Sequence, residues 1–118
     1  MAASSVNLNI EQGSTFGVTV TIKNADLTAF NLTGYSIRGQ IRNRYSSSSV
    51  LLDLAPVIQT GSGNSLLVSG LVDIDLTAAQ TAALPITHAV YDIEIFDVSG
   101  TVTKVLAGKV IINPEVTR

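Results

Sequence analysis

Apolar and polar residues alternate along most of the chain, the period of a half-buried strand whose successive side chains point to opposite faces. Val6, Leu8 and Ile10 make a first inward row. A turn at Gln12, Gly13 and Ser14 leads into the most regular stretch. There Phe16, Val18, Val20 and Ile22 face one way, while Thr19, Thr21 and Lys23 face the other. Residues 24–26 and 31–34 read as loop. Tyr35, Ile37 and Ile41 then alternate with Ser36, Arg38, Gln40 and Arg42. Gly39 interrupts that inward row, which predicts a bulge or a close approach of backbone at that point.

Ser46, Ser47, Ser48 and Ser49 form a polar loop before the more continuously apolar residues 50–58. Pro56 lacks the amide hydrogen that a central ladder needs, so this strand is expected at an edge or broken at the proline. After a turn at residues 61–64, Leu66 and Val68 suggest another short strand. Residues 71–76 continue the pattern, with Asp73 and Asp75 on the outward face.

Residues 77–84 are the one helical segment: Thr77 can cap the amide three residues on, Gln80 can reach back, and alanines fill the turn before Pro85. Tyr91, Ile93 and Ile95 then form an inward row against Asp92 and Glu94. Ser99 and Gly100 turn the chain into a last strand over residues 101–112, closed by Asn113 and Pro114. About eight strands with short turns predict an all-β fold, an antiparallel two-sheet β-sandwich, because a single sheet would leave one apolar face wet.

The length of 118 residues accommodates one core, so residues 1–118 are expected to form a single domain. The chain has no cysteine. That excludes a disulfide framework, a thiolate metal site and a cysteine nucleophile, and it fits assembly in a reducing cytoplasm. Seven basic against nine acidic residues give a formal charge of -2, so no basic field draws the chain to nucleic acid. Charged residues are only 14% and hydrophobic residues 46%, with a mean hydropathy of +0.39. A surface so poor in charge is expected to be covered in part by a partner. The start of the chain has neither a basic region nor a long apolar run, and no stretch approaches the roughly 20 apolar residues that span a bilayer. Neither export by that route nor a membrane partner is expected. Asn31-Leu32-Thr33 matches a glycosylation sequon but reads as a turn.

Candidate chemistry is thin. His88 is the one histidine, and although Ser69, Ser99 and Asp97 are conceivable partners, no nucleophile-elbow motif accompanies them. No enzyme activity, cofactor or transition-metal site is expected. Asp73 with Asp75, and Asp92 with Glu94, are carboxylate pairs two apart on strands, each pair on one face. Calcium needs six to eight oxygens from a loop, and glycoside hydrolysis needs a cleft with aromatic platforms. The pairs therefore read as solvated strand faces matched across strands with Arg38 or Arg42, with calcium a weak alternative. Gly61-Ser62-Gly63 and Gly108-Lys109 do not complete a phosphate-loop spacing. Arg38, Arg42 and Arg44 make a basic stripe too small for a nucleic-acid track but suited to a partner's acidic patch.

Three segments in order, residues 10–16 (IEQGSTF), 31–35 (NLTGY) and 37–42 (IRGQIR), resemble those of small structural proteins of tailed phages. In the second half, residues 76–84 (LTAAQTAAL), 91–94 (YDIE), the turn at Ser99 and Gly100, and residues 108–118 are similar in kind and order. The resemblance implies an immunoglobulin-like sandwich, as in the N-terminal module of baseplate upper proteins, which anchors a receptor-binding assembly to the tail. The fibre-bearing C-terminal part of those proteins has no counterpart here, which favours a self-contained subunit laid on a particle. The implied function is that of a non-enzymatic virion protein, assembled in the host cytoplasm and bound in multiple copies or as a homo-oligomer to capsid or tail subunits. A capsid decoration (cement) protein is the first expectation; a tail, neck or baseplate adaptor for fibre attachment is the alternative. The candidate contact residues are Arg38, Arg42 and Arg44, the loop Ser46, Ser47, Ser48 and Ser49, and the tail Pro114, Glu115, Val116, Thr117 and Arg118.

Overall fold

The computed structural model describes residues 4–44, 46–85 and 88–114. Two sheets face each other across one hydrophobic core. The larger contains β1 (Ser4–Ser5), β2 (Leu8–Glu11), β4 (Ser36–Arg42), β5 (Val50–Asp53), β8 (His88–Phe96) and β9 (Val102–Asn113). The smaller contains β3 (Phe16–Thr21), β6 (Val57–Ile58) and β7 (Leu71–Leu76), in the order β3-β7-β6. The alternation in the sequence maps onto this arrangement directly. Tyr91, Ile93 and Ile95 of β8 are buried against Val72, Ile74 and Leu76 of β7, with Ile10, Ile41 and Leu54 in the same cluster.

Most neighbouring strands are antiparallel, and the exception lies at the N-terminus. β1 and β2 both pair parallel to β9, with Ser4 opposite Leu106 and Leu8 opposite Val110. Between them Val6 departs from the expected inward row and is 39% exposed, while Leu8 and Ile10 are buried. The Val6 carbonyl turns inward instead and accepts the Tyr91 hydroxyl at 2.6 Å. Gly108, opposite Tyr91 in the β8–β9 ladder, makes room for this crossing, because a Cβ there would collide with the Val6 carbonyl. A register shift between Ile93 and Glu94 gives β9 an extra residue, so that Val105 and Leu106 are both buried in succession.

Gly39 marks a close approach: a Cβ would press on Ile93 at 3.0 Å and on the Asp92 carbonyl at 3.1 Å. The irregularity in the same strand lies further on, between Ile41 and Arg42 on the β5 side. Pro56 falls where the chain leaves β5 on one sheet and enters β6 on the other, so both flanking strands are short edge strands, as a missing amide requires. The strand expected from Leu66 and Val68 is a 3-10 turn, Leu67–Ser69. Gly70 ends it in the left-handed region (φ 67), and the Leu67 carbonyl accepts the Leu32 amide. That geometry folds the segment back on itself and leaves Val68 57% exposed.

The helical segment is α1 (Ala78–Ala82). Thr77 Oγ1 accepts from the Gln80 amide at 3.1 Å, and Gln80 Oε1 accepts from the Thr77 amide at 2.8 Å, closing the reciprocal cap that their spacing predicts. Thr81 is fully buried. Its hydroxyl donates to the Ser14 carbonyl at 2.8 Å and accepts the Gly13 amide at 3.0 Å, which fastens α1 to the turn between β2 and β3.

Candidate contact surface

The outward face of the larger sheet carries the ion pairs Arg38–Glu94 and Lys104–Asp92. Register places Arg38 opposite Glu94, Gln40 opposite Asp92 and Arg42 opposite Val90. Arg38 Nε donates to Glu94 Oε1 at 2.9 Å, and its guanidinium stacks 5.1 Å from the centre of the Phe96 ring. Lys104 meets Asp92 at 3.5 Å. The predicted cross-strand match is thus realised for Glu94 by Arg38, whereas Asp92 pairs with Lys104 and not with Arg38 or Arg42. Such exposed pairs contribute about 0–1 kcal/mol each, so their effect is chiefly to neutralise the face.

Arg42 has a different role from the one its place in the basic stripe suggests. Its Nη1 donates to the Ser47 carbonyl at 2.7 Å and its Nη2 to Gln40 Oε1 at 3.0 Å, so it holds the serine loop to the sheet. The loop is also tied internally, with the Ser47 amide donating to the Arg44 carbonyl and the Ser49 amide to Ser47 Oγ. Arg44 is exposed and, among the described residues, makes no side-chain hydrogen bond or ion pair. Structure therefore gathers Arg42, Arg44 and the four serines into one corner, with Ser46, Ser48 and Ser49 exposed, and leaves Arg38 along the face.

The end of β4, the start of β8 and the end of β9 lie at the same end of this sheet, as Arg42 opposite Val90, and His88 opposite Ile111, require. Exposed Pro114 leaves the sheet there. A surface hollow of about 410 Å³ at this end is lined by Asn43, His88, Ala89, Val90 and Lys109. Asn43, Lys109, Gln40 and Lys104 join this surface only through strand pairing, and no local motif singles them out. Glu115, Val116, Thr117 and Arg118 lie outside the described residues.

The remaining candidates do not converge. His88 opens β8 and Asp97 follows its end, roughly 30 Å apart along a nine-residue strand. The Asp97 carboxylate accepts the Ser99 and Thr101 amides and so shapes the β8–β9 turn. Asp73 and Asp75 belong to the smaller sheet, away from Arg38 and Arg42, which corrects the cross-strand pairing expected for them. Asp73 Oδ1 instead accepts Thr19 Oγ1 at 2.6 Å and Gln59 Nε2 at 2.8 Å. The Thr19 hydroxyl first, and then the Gln59 amide, hold its carboxyl below the usual aspartate value. Among the described residues no three His, Asp or Glu side chains gather where they could hold a metal ion, and no helix is long and apolar enough to cross a membrane.

Neither a protein-family model nor a curated protein matches the chain. Among solved structures it is similar to a chicken TCR, with a TM-score of 0.52 and 13% identity over 96% of this chain. It spans 56% of the length of that TCR chain. At this identity the likeness is one of fold. The two sheets, their shared core and this neighbour together make the chain an all-β domain with an immunoglobulin-like sandwich.

Proposed function

We propose that the domain is a non-enzymatic structural subunit of a tailed-phage particle, a capsid decoration protein bound in many copies to virion subunits. The observation that carries this reading is the pairing of Arg38 with Glu94 and of Lys104 with Asp92 along the middle of the main outer face, which leaves that stretch without net charge. Such a face suits a broad and lightly charged contact better than capture of a charged small molecule. The tethered loop with exposed Ser46, Ser48 and Ser49 gives that face a polar rim with its backbone already ordered, which lowers the entropy cost of docking. Many weak contacts around a symmetric shell then add through avidity. Assembly takes place in the host cytoplasm, and neither membrane nor nucleic acid takes part.

The resemblance of the segment order to small phage structural proteins is what supports virion subunits as the partner. A tail, neck or baseplate adaptor is the second reading. It is favoured by β3, which ends the smaller sheet and, among the described residues, has a strand neighbour on one side only, since an adaptor must hold two neighbours through different faces. Electron cryomicroscopy of the assembled particle tests both. A domain of 42 × 33 × 25 Å at symmetry-related positions on the capsid is the expected result. The same density confined to the tail or neck selects the adaptor, and its absence from purified particles overturns both readings.

A further inference from the structure

One border of the smaller sheet is β3, and among the described residues no strand pairs with its outer side. The Ile22 amide donates to the Gly70 carbonyl, whereas the Gln59 amide donates to the Leu71 carbonyl. Even-numbered residues of β7 therefore face β3, and odd-numbered ones face β6. It follows that Phe16, Val18 and Val20 pair with β7, while the amides and carbonyls of Gly17, Thr19 and Thr21 point outward. An edge of this kind is a template for another strand, and proteins usually blunt it with proline, charge, a bulge or short length.

The other borders carry such devices. β6 has two residues and follows Pro56, β5 has four beside a register shift, and the N-terminal border is divided between β1 and β2. β3 has six residues without proline or charge, and its register with β7 is unbroken. Its inward row is also incompletely covered: Phe16, Val18 and Val20 are half-buried, whereas Val72, Ile74 and Leu76 opposite them are at most 2% exposed.

Charge identifies the strand that fits. Asp75 lies opposite Gly17, and its carboxylate oxygen sits only 3.0 Å from where a Cβ of Gly17 would be, so it overhangs the outer edge. Lys23 lies on the same face at the other end of the strand. Among the described residues neither makes an ion pair or a side-chain hydrogen bond. An uncharged edge strand with Lys23 just past one end and Asp75 of the neighbouring β7 overhanging the other matches a copy of itself in antiparallel orientation.

We infer that β3 pairs with β3 of a second copy about a two-fold axis through Val20, merging two three-stranded sheets into one. This register sets Lys23 of each copy opposite Gly17 of the other, where no side chain intervenes before Asp75. Thr19 meets Thr21, and Val18 meets Ile22, extending the apolar layer across the junction. Lys23 and Asp75 are then two strand spacings apart, roughly 10 Å between backbones, within the joint reach of the two side chains. The interface is isologous, so each contact occurs twice. It deepens the reading of the domain as a multi-copy contact subunit, and it rests on that reading only for its biological purpose.

Sedimentation equilibrium of the full chain tests the pairing. The expected result is reversible association from 12.4 kDa to twice that mass, weakening as salt rises. Thr21→Pro removes an outward amide and no bond to β7, and it should leave a folded monomer by circular dichroism. Lys23→Glu and Asp75→Lys should each weaken the dimer about tenfold, because each reversal acts at two symmetric sites. Combining them should restore affinity to within about threefold of the parent. A chain that stays monomeric, a dimer indifferent to Lys23→Glu, or a double variant no stronger than the single ones overturns the inference. Because the readout is mass in solution, it is separable from particle location: a dimer absent from particles defeats the structural role alone, and a monomer found on particles defeats the pairing alone.

Discussion

The β8 row and the β3 row have the same alternation in sequence and reach different ends in the fold. Tyr91, Ile93 and Ile95 sit in a strand flanked on both sides and are essentially inaccessible, whereas Phe16, Val18 and Val20 sit in a strand flanked on one side and stay half-buried. Alternation thus reports which face of a strand is apolar. It carries no information on whether a neighbour seals that face, because sealing depends on strands distant in the chain.

The comparison can be broken most forcefully in β8. Ile93→Ala should destabilise the domain by about 4 kcal/mol, since the closed core around it cannot collapse onto the lost volume. Val18→Ala, the corresponding truncation in β3, should cost about 1 kcal/mol because water already reaches that row. Urea unfolding midpoints of the two variants, measured at a low protein concentration, check the contrast. Near-equal losses would contradict it.

A smaller effect than Ile93→Ala, about 1.5 kcal/mol, is expected from Tyr91→Phe, which removes the part-buried hydroxyl bond to the Val6 carbonyl. The loss should be accompanied by faster amide exchange in β1, as the N-terminal segment loosens from β9. An unchanged midpoint would show that the parallel pairing of β1 and β2 holds the segment without that bond.

The smallest expected effect concerns the outer face of β7 and depends on pH. The Thr19 and Gln59 hydrogen bonds lower the pKa of Asp73 in the folded chain below 3.8, its ordinary value. Protonation is therefore harder in the folded than in the unfolded state. The stabilisation is fully present above pH 3.8 and is lost as pH falls below it and through the lower folded pKa. Asp73→Asn should flatten this acid-side slope in urea midpoints. A residual slope belongs partly to Asp26, whose carboxyl is lowered chiefly by the Thr28 hydroxyl.

Features set by neighbours in sequence were legible, and features set by distant pairing were not. The cap of Thr77 and Gln80 needs only a three-residue spacing, and Pro56 marks an edge through its own missing amide. The apolar Leu66 and Val68 misled because the left-handed turn at Gly70 and the bond from Leu32 outweigh a two-residue alternation. Val6 faces away from the core for a reason about a hundred positions downstream, where Gly108 lets its carbonyl reach Tyr91. In the contact surface, the basic stripe was visible, but its partition was not: Arg38 is matched to Glu94, Arg42 is committed to Ser47, and Arg44 faces solvent. The outer border of β3 had no local signal beyond its lack of charge and proline.

Residue-resolved amide exchange along β3 is the most direct test of that border. In a dilute sample Gly17, Thr19 and Thr21 should exchange quickly while Val18 and Val20 are protected, and the three fast amides should slow as the chain is concentrated. Uniform protection of all five at low concentration would mean that the edge is already closed, and equally fast exchange at high concentration would mean that nothing pairs with it.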